Sequence, residues 1–554
     1  MTTPVLCAVL GPLSAALRLL SPVICFAVFG CTTAGCSRRE TAAAAGLRTQ
    51  TLHVNNTGET RDFDPHTTTL PPDINIIRAL VEGLVEIDPA DCHPVPGVAE
   101  RWESSADGLT WTFHLRADAR WSNGDPVTAH DFTYAWRRVL SPALGAEYRD
   151  QFFCLKHAQA FTAGKVTDFS QVGARAADDR TLVLTLEHPV PYLPTLVSQF
   201  QWFPVHRATI EKFGRIDQRG TAWTRPGNFV GNGAFVLQEW TPNQVVRVVK
   251  SPTYWDRDRV RLQAAAFHPI ENVTVGEAAF RAGQLHITAA PVDKVAAYRG
   301  DPRRAALLHE SASLRTAFFR LNCAHPPLND VRVRRALSLA IDRAQLARRV
   351  IHCEQAAFSF TPPDCAGYTA DGSLATDVAA AQALLAAAGF PAGRGFPRLE
   401  LIFYHSKGTE QPVAEAIQQM WRQHLGVEIA LVNQEAKVAI AARRTGAYHI
   451  LGGEWTGDYL DPTTFLDLAQ SANANNCTGW ASADYDRLLA EAATSTEQTK
   501  RYALLRRAEA LMLSELPFIP LYHQPLRALR HPAVRGWHNN LLDLHPLKFV
   551  YFEN

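Results

Sequence analysis

The segment from Gly108 to Leu140 changes its hydrophobic period, from two residues to about 3.6, and that switch excludes both an all-helical and an all-strand reading. In GLTWTFHLR, Leu109, Trp111, Phe113 and Leu115 alternate with Thr110, Thr112 and His114, which predicts a half-buried strand. Ser122-Asn123-Gly124-Asp125-Pro126 turns the chain, and Thr128 with Asp131 three residues later predicts a capping box opening the helix HDFTYAWRRVL. The same mixture recurs without an internal repeat. Asn329 or Asp330 is the expected N-cap of a helix that puts Val333, Ala336, Leu337, Ala340 and Ile341 on one face. Another helix covers Asp377–Ala388 and stops at Gly389. At 554 residues the chain exceeds one hydrophobic core, and a prior of roughly 150 residues per domain predicts about three or four lobes of α/β type.

Composition narrows the partners. A formal charge of +1 gives no reason to expect nucleic acid or an anionic lipid surface, and Arg332, Arg334 and Arg335 read as a solvated helix face. Twelve tryptophans and 27 phenylalanines supply rings enough for a large core and for an aromatic-walled cleft.

The first 36 residues contain no Asp, Glu or Lys and only Arg18 as a cation. The apolar run Leu19–Gly30 follows it, short of the ~20 residues that span a bilayer. This is the layout of an export signal. Thr33-Ala34-Gly35-Cys36 resembles the lipobox of bacterial lipoproteins, in which the cysteine is acylated, and Cys31 is a second candidate. Residues 1–36 are therefore read as a lipoprotein signal peptide and 37–46, with TAAAAG, as a flexible tether. The body is expected outside the cytoplasm. Cys92, Cys154, Cys323, Cys353, Cys365 and Cys477 are too scattered for a disulfide scaffold, although Cys353 and Cys365 can close a loop. No metal site and no cofactor is expected. No glycine-rich phosphate loop, HExxH or GxSxG is found, which points to binding rather than turnover.

Several stretches in order resemble the extracytoplasmic solute-binding proteins of the peptide/nickel class that serve ABC importers, closest to the oligopeptide-binding branch. They are PGVAERW with DGLTWTFHLRADARWSNGDPVTAHDFTYAWRR, NGAFVLQEW with SPTYWD, FFRLNCAHPPLNDVRVRRALSLAIDR, EWTGDYLDPTTFL with ADYDRLLAEA, and LPFIPLYH. The resemblance implies a type II two-lobe periplasmic-binding-protein clamp with an extra third domain and a two-strand hinge. It implies lobe I from residues 47–81, 206–313 and 526–554, the extra domain from 82–205 and lobe II from 314–525. It implies a monomeric receptor, not an enzyme, lying at the periplasmic face of a membrane or on the outer cell surface. Its expected partners are short peptides, the permease and ATPase subunits of an importer, and the membrane through a lipid anchor.

Peptides share a backbone, an α-ammonium and a carboxylate, and strand addition reads backbone without regard to side chains. In the family the aspartate of the W-x-x-D-Y motif pairs with the ammonium, which here assigns Asp458, with Trp455 and Tyr459 beside it. Gly453 and Gly457 permit close backbone approach. Thr69 and Leu70 occupy a loop that lies against the peptide in relatives, Arg443 is retained, and Glu410 stands where relatives place a histidine. Gly452 replaces an arginine that helps hold the ligand carboxylate. The ammonium end therefore reads as kept and the carboxylate end as altered. Two other readings keep the tethered architecture: a non-peptide ligand such as a metal chelate, haem or oligosaccharide, and an adhesin or chaperone without transport.

Overall fold

The computed structural model describes residues 40–353, 355–371, 374–404 and 409–553; the signal segment, Cys31 and Cys36 fall outside them. Three main sheets carry the body. A seven-stranded mixed sheet has Thr51–Asn55 at its centre, parallel to Ala264–His268 on one side and to Ile287–Ala289 on the other. Val245–Lys250 and Phe235–Thr241 extend the first side antiparallel; Leu526–Arg530 and Leu308–Ser311 extend the second. Strand Ala264–His268 is buried along nearly its whole length, as expected of a strand covered on both faces.

A five-stranded sheet runs in the order Ile429–Asn433, Leu399–Phe403, Ile450–Thr456, Arg315–Leu321 and Phe518–His523. Its first three strands are parallel and the last two pairings antiparallel. Between the first two strands of the seven-stranded sheet's chain path lies a four-stranded antiparallel layer, Ala99–Ser104, Thr110–Leu115, Thr181–Thr185 and Ala174–Asp178, with its own buried core. Phe113 and Leu115 are buried there, as the period of two predicts.

The chain crosses from the seven-stranded to the five-stranded sheet twice, at Ser311–Arg315 and at His523–Leu526. The crossings are tied to each other: Ser313 Oγ donates to the Gln524 carbonyl, and the Gln524 amide donates to Arg315 O at 3.0 Å. Two lobes joined by two adjacent strands form the clamp and hinge that the family resemblance implied.

Local signals are realised where the backbone accounts for them. The Thr128 amide donates to the Asp131 carboxylate at 2.8 Å ahead of helix Ala129–Leu140, and Asp330 accepts from the Arg332 amide at 2.8 Å at the start of Val331–Leu339. Asp377 caps Val378–Ala387, and Gly389 follows with φ +98°. Two expectations are corrected. Thr41–Gly46 is not a flexible tether but enters helix Ala42–Thr49: Thr41 Oγ1 accepts from the Ala44 amide at 3.2 Å, and the Ala43 amide donates to Gly283 O at 2.9 Å. Alanine has the highest helix propensity, and a cap with a tertiary anchor fixes the turn. Arg334 is not on a solvated face. It is buried, donating to Leu328 O at 2.9 Å and to the Glu515 carboxylate at 3.2 Å. Among the described residues, Cys92, Cys154, Cys323, Cys365 and Cys477 are free thiols. Among the described residues no helix is long and apolar enough to cross a membrane.

Candidate functional site

Parallel α/β sheets place ligands beyond the carboxyl ends of their strands, where loops and helix starts converge. Here that region holds a cavity of about 510 Å³. From the seven-stranded sheet it takes Asn55, Asn56 and Thr57 just past strand Thr51–Asn55, and Thr288 and Ala289 of the neighbouring strand. Tyr148, Gln151, Gln199 and Gln201 come from turns next to the four-stranded layer, and Arg315, Thr456, Gly457 and Asp458 from the hinge and the five-stranded sheet. The wall therefore draws on all three structural layers.

Asp458 is held by its backbone and leaves its carboxylate to the cavity. Its amide donates to Thr464 Oγ1 at 3.0 Å, while Thr464 O accepts Trp455 Nε1 at 2.6 Å. The preceding Gly457 donates its amide to Leu314 O at 2.8 Å, and a Cβ there would lie 2.4 Å from Leu314 Cδ2, so the close approach demands glycine. Three residues on, Asp461 receives two 2.7 Å bonds from the buried Arg501 guanidinium. The loop is thus braced from both ends.

The Asp458 side chain opens onto the cavity, yet the surrounding protein is dense enough to desolvate it. That desolvation, with the Asp150 carboxylate added, pushes its pKa up to about 6. Among the described residues no cation forms a salt bridge with it.

The predicted residues separate into groups. Gly457, Asp458 and Thr69 line the large cavity. Leu70 does not; its amide donates to Thr68 Oγ1 at 3.3 Å and its carbonyl opens helix Pro71–Leu80. Trp455 supports the loop through Thr464. Tyr459 lies stacked on Tyr192, with centroids 5.1 Å apart and planes 3° apart, where it ties the loop to the four-stranded layer's core. Gly453 and Glu410 line a second, smaller cavity of about 50 Å³ within the five-stranded lobe, together with Gly452, Tyr404 and Glu454. Arg443 stands on the adjoining helix Ala436–Thr445. Tyr148, Gln151, Gln199, Gln201, Arg78 and Arg315 were not predicted. Most sit on irregular turns or helix flanks whose convergence is a tertiary fact; only the asparagine pair after an apolar strand carries a local signal.

The model for the bacterial extracellular solute-binding proteins, family 5 middle region, matches residues 93–477. The chain belongs to this family. It is a solute-binding protein of the transport class and not an enzyme. Among curated relatives it is 34% identical to the probable deoxycholate-binding periplasmic protein YgiS of Escherichia coli, over 91% of this chain and 92% of that one. It is 34% identical to the periplasmic oligopeptide-binding protein OppA of the same organism, over 88% and 90% of the two chains. For the periplasmic murein peptide-binding protein MppA of that organism the identity is 35%, over 86% and 88%. Among solved structures, unliganded open MppA superposes with a TM-score of 0.78 at 34% identity, covering 91% of this chain and 97% of that one. Haemophilus influenzae OppA in complex with RPPGFSPFR gives 0.76 at 31% identity, covering 91% and 99%.

Proposed function

We propose that this protein is a lipid-anchored extracytoplasmic receptor that binds short peptides by their backbone and α-ammonium and delivers them to an ABC permease. The observation that carries the reading is the Asp458 carboxylate, held on a cavity wall through its backbone and with no salt-bridged cation among the described residues. An ammonium arriving with the ligand stabilises its ionised form and offsets the desolvation that raises its pKa. Asn55, Asn56, Thr57 and Thr456 give the same cavity a polar lining, suited to the amide groups of a peptide. The oligopeptide and murein-peptide relatives support the same ligand class.

A second reading keeps the site and changes the ligand to a non-peptide solute. It is favoured by the description of one similar relative as probably deoxycholate-binding, and by Gly452 and Glu410 at the altered end. Mass spectrometry of what leaves the protein on denaturation separates the two. A ladder of short peptides supports the first; a single non-peptide species overturns it. Calorimetry with matched peptides tests Asp458: N-acetylation should cost at least tenfold in affinity in the wild type and almost nothing in Asp458→Asn. Equal losses in both remove Asp458 from the role. Anchoring is tested separately, since Cys36→Ser should release the protein from membranes, and unchanged fractionation moves the anchor to Cys31 or to an uncleaved helix.

A further inference from the structure

A cavity that fills with ligand strips water from the charges in its wall, and each then needs a partner from the protein or from the ligand. Arg78, Arg315 and Arg527 line the large cavity. Two of them are already engaged. Arg78 donates from Nη1 to Ser198 O at 3.3 Å and from Nη2 to Gln199 Oε1 at 3.2 Å. Arg527 donates from Nε to the Glu310 carboxylate at 3.1 Å and from Nη2 to Ile351 O at 2.8 Å. Arg315 differs. It is half-buried, and its Nε donates to Thr456 Oγ1 at 2.8 Å. Among the described residues its Nη1 and Nη2 have neither a hydrogen-bond acceptor nor a carboxylate partner.

The backbone sets Arg315 beside Asp458. Arg315 and Thr456 are cross-strand partners at the ends of strands Arg315–Leu321 and Ile450–Thr456, so their side chains share a face. One residue further on each strand, the Gly457 amide donates to Leu314 O at 2.8 Å, and Asp458 follows. Two residues of chain separate Thr456 from Asp458, a backbone span of at most about 7 Å. The two charges nevertheless form no salt bridge with each other. Thr456 orients the guanidinium through Nε, while Thr464 holds Asp458 by its amide at 3.0 Å. The other carboxylate of the wall, Asp543, has its Oδ1 3.0 Å from His545 Nε2. The wall thus keeps one anion and one cation as neighbours, each open to a group from the ligand.

We propose that Arg315 binds an acidic side chain on the first residue of a peptide whose α-ammonium is held by Asp458, making the protein selective for peptides that begin with Asp or Glu. This rests on the peptide reading of the same cavity. Three or four bonds separate the ammonium nitrogen from the side-chain carboxyl carbon in such a residue, so both groups reach adjacent wall charges together. An acidic residue further along the chain lacks that spacing. The two Nη groups of Arg315 suit the two oxygens of a carboxylate, which an amide cannot match in charge.

The test uses the purified full chain and calorimetry with tetrapeptides X-Ala-Ala-Ala, in which X is Asp, Asn, Glu, Gln or Lys. Ala-Ala-Ala-Glu against Ala-Ala-Ala-Gln serves as the distant pair. At the first position at least one acid should bind tenfold or more tightly than its amide, with Lys weakest. At the last position the difference should stay below threefold. Arg315→Gln and Arg315→Met, each with circular dichroism matching the wild type, should bring the first-position ratio below threefold. Arg315→Lys keeps the charge and should retain part of the ratio. A purely structural Arg315 would instead weaken every peptide and leave the ratio unchanged, which overturns the proposal. It is equally overturned by a wild type that shows no first-position preference, or the same preference at the last position. If no peptide binds the wild type, the peptide reading falls and Arg315 is judged by glutarate against glutaramide. Thermal stabilisation by glutarate alone, lost in Arg315→Gln, supports an anion site at Arg315; no difference between the two compounds overturns it.

Discussion

The Gly457 amide donates to the Leu314 carbonyl at 2.8 Å, joining the loop that carries Asp458 to the first hinge crossing. Leu314 is fully buried, and a Cβ at residue 457 would press to 2.4 Å from its Cδ2 and 2.7 Å from its Cγ. Either the leucine leaves its packed position or the loop lifts from the hinge. Gly457→Ala should therefore cost about 1–3 kcal/mol of stability, as overpacking does. It should also weaken ligand binding by displacing the neighbouring carboxylate. Urea unfolding and calorimetry check both; an unchanged midpoint would show that the loop relaxes freely.

Asp458 should make binding pH-dependent. With its pKa raised to about 6 in the empty site, the carboxylate is mostly ionised at pH 7 and mostly protonated at pH 5. A ligand ammonium pairs only with the ionised form, so affinity for peptides with a free N-terminus should fall about tenfold between those values. N-acetylated peptides should not show this fall, and Asp458→Asn should flatten it for both. A flat profile in the wild type would mean that the ligand cation sits elsewhere.

The Asp461–Arg501 pair predicts the reach of the loop's bracing. Both side chains are almost fully buried, with two parallel 2.7 Å bonds between them. Arg501 also lies 5.2 Å from the centre of the Tyr192 ring, on which Tyr459 stacks. Arg501→Met strands the Asp461 charge in the interior and should destabilise by about 3–5 kcal/mol. Adding Asp461→Leu removes the stranded charge, so the double variant should be more stable than Arg501→Met alone. Additive losses would show that the pair is not coupled.

The fold was legible where one local rule and the tertiary structure agree. Leu109–Leu115 reads as a strand because period two survives burial on one face, and Thr128–Asp131 reads as a cap because both partners are close in sequence. Asp458 was legible only through the W-x-x-D-Y motif, since a loop aspartate carries no periodic signal. Gln199, Gln201 and Tyr148 were not legible, because a turn's residues gain meaning from what folds against them. The alanine run after Thr41 misled through composition: the contacts that make it a helix, with Gly283 and His286, lie more than two hundred residues away.

His523, in the second hinge crossing, should make the stability of the clamp sensitive to acid. It is 5% exposed, its Nδ1 lies 3.0 Å from Thr316 Oγ1, and burial pulls its pKa down from 6.5 to about 4. The folded protein therefore keeps this imidazole neutral where the unfolded chain already binds a proton. The group's contribution is complete above pH 6.5 and is lost as pH falls from there toward 4. His523→Gln deletes this titration and keeps a side chain able to bond Thr316. The stability of the wild type relative to the variant should thus drop by about 1.4 kcal/mol per pH unit between pH 6 and pH 4.5. Denaturant unfolding of both proteins across that range measures the difference; parallel curves would place the proton on the folded histidine and make the hinge indifferent to pH.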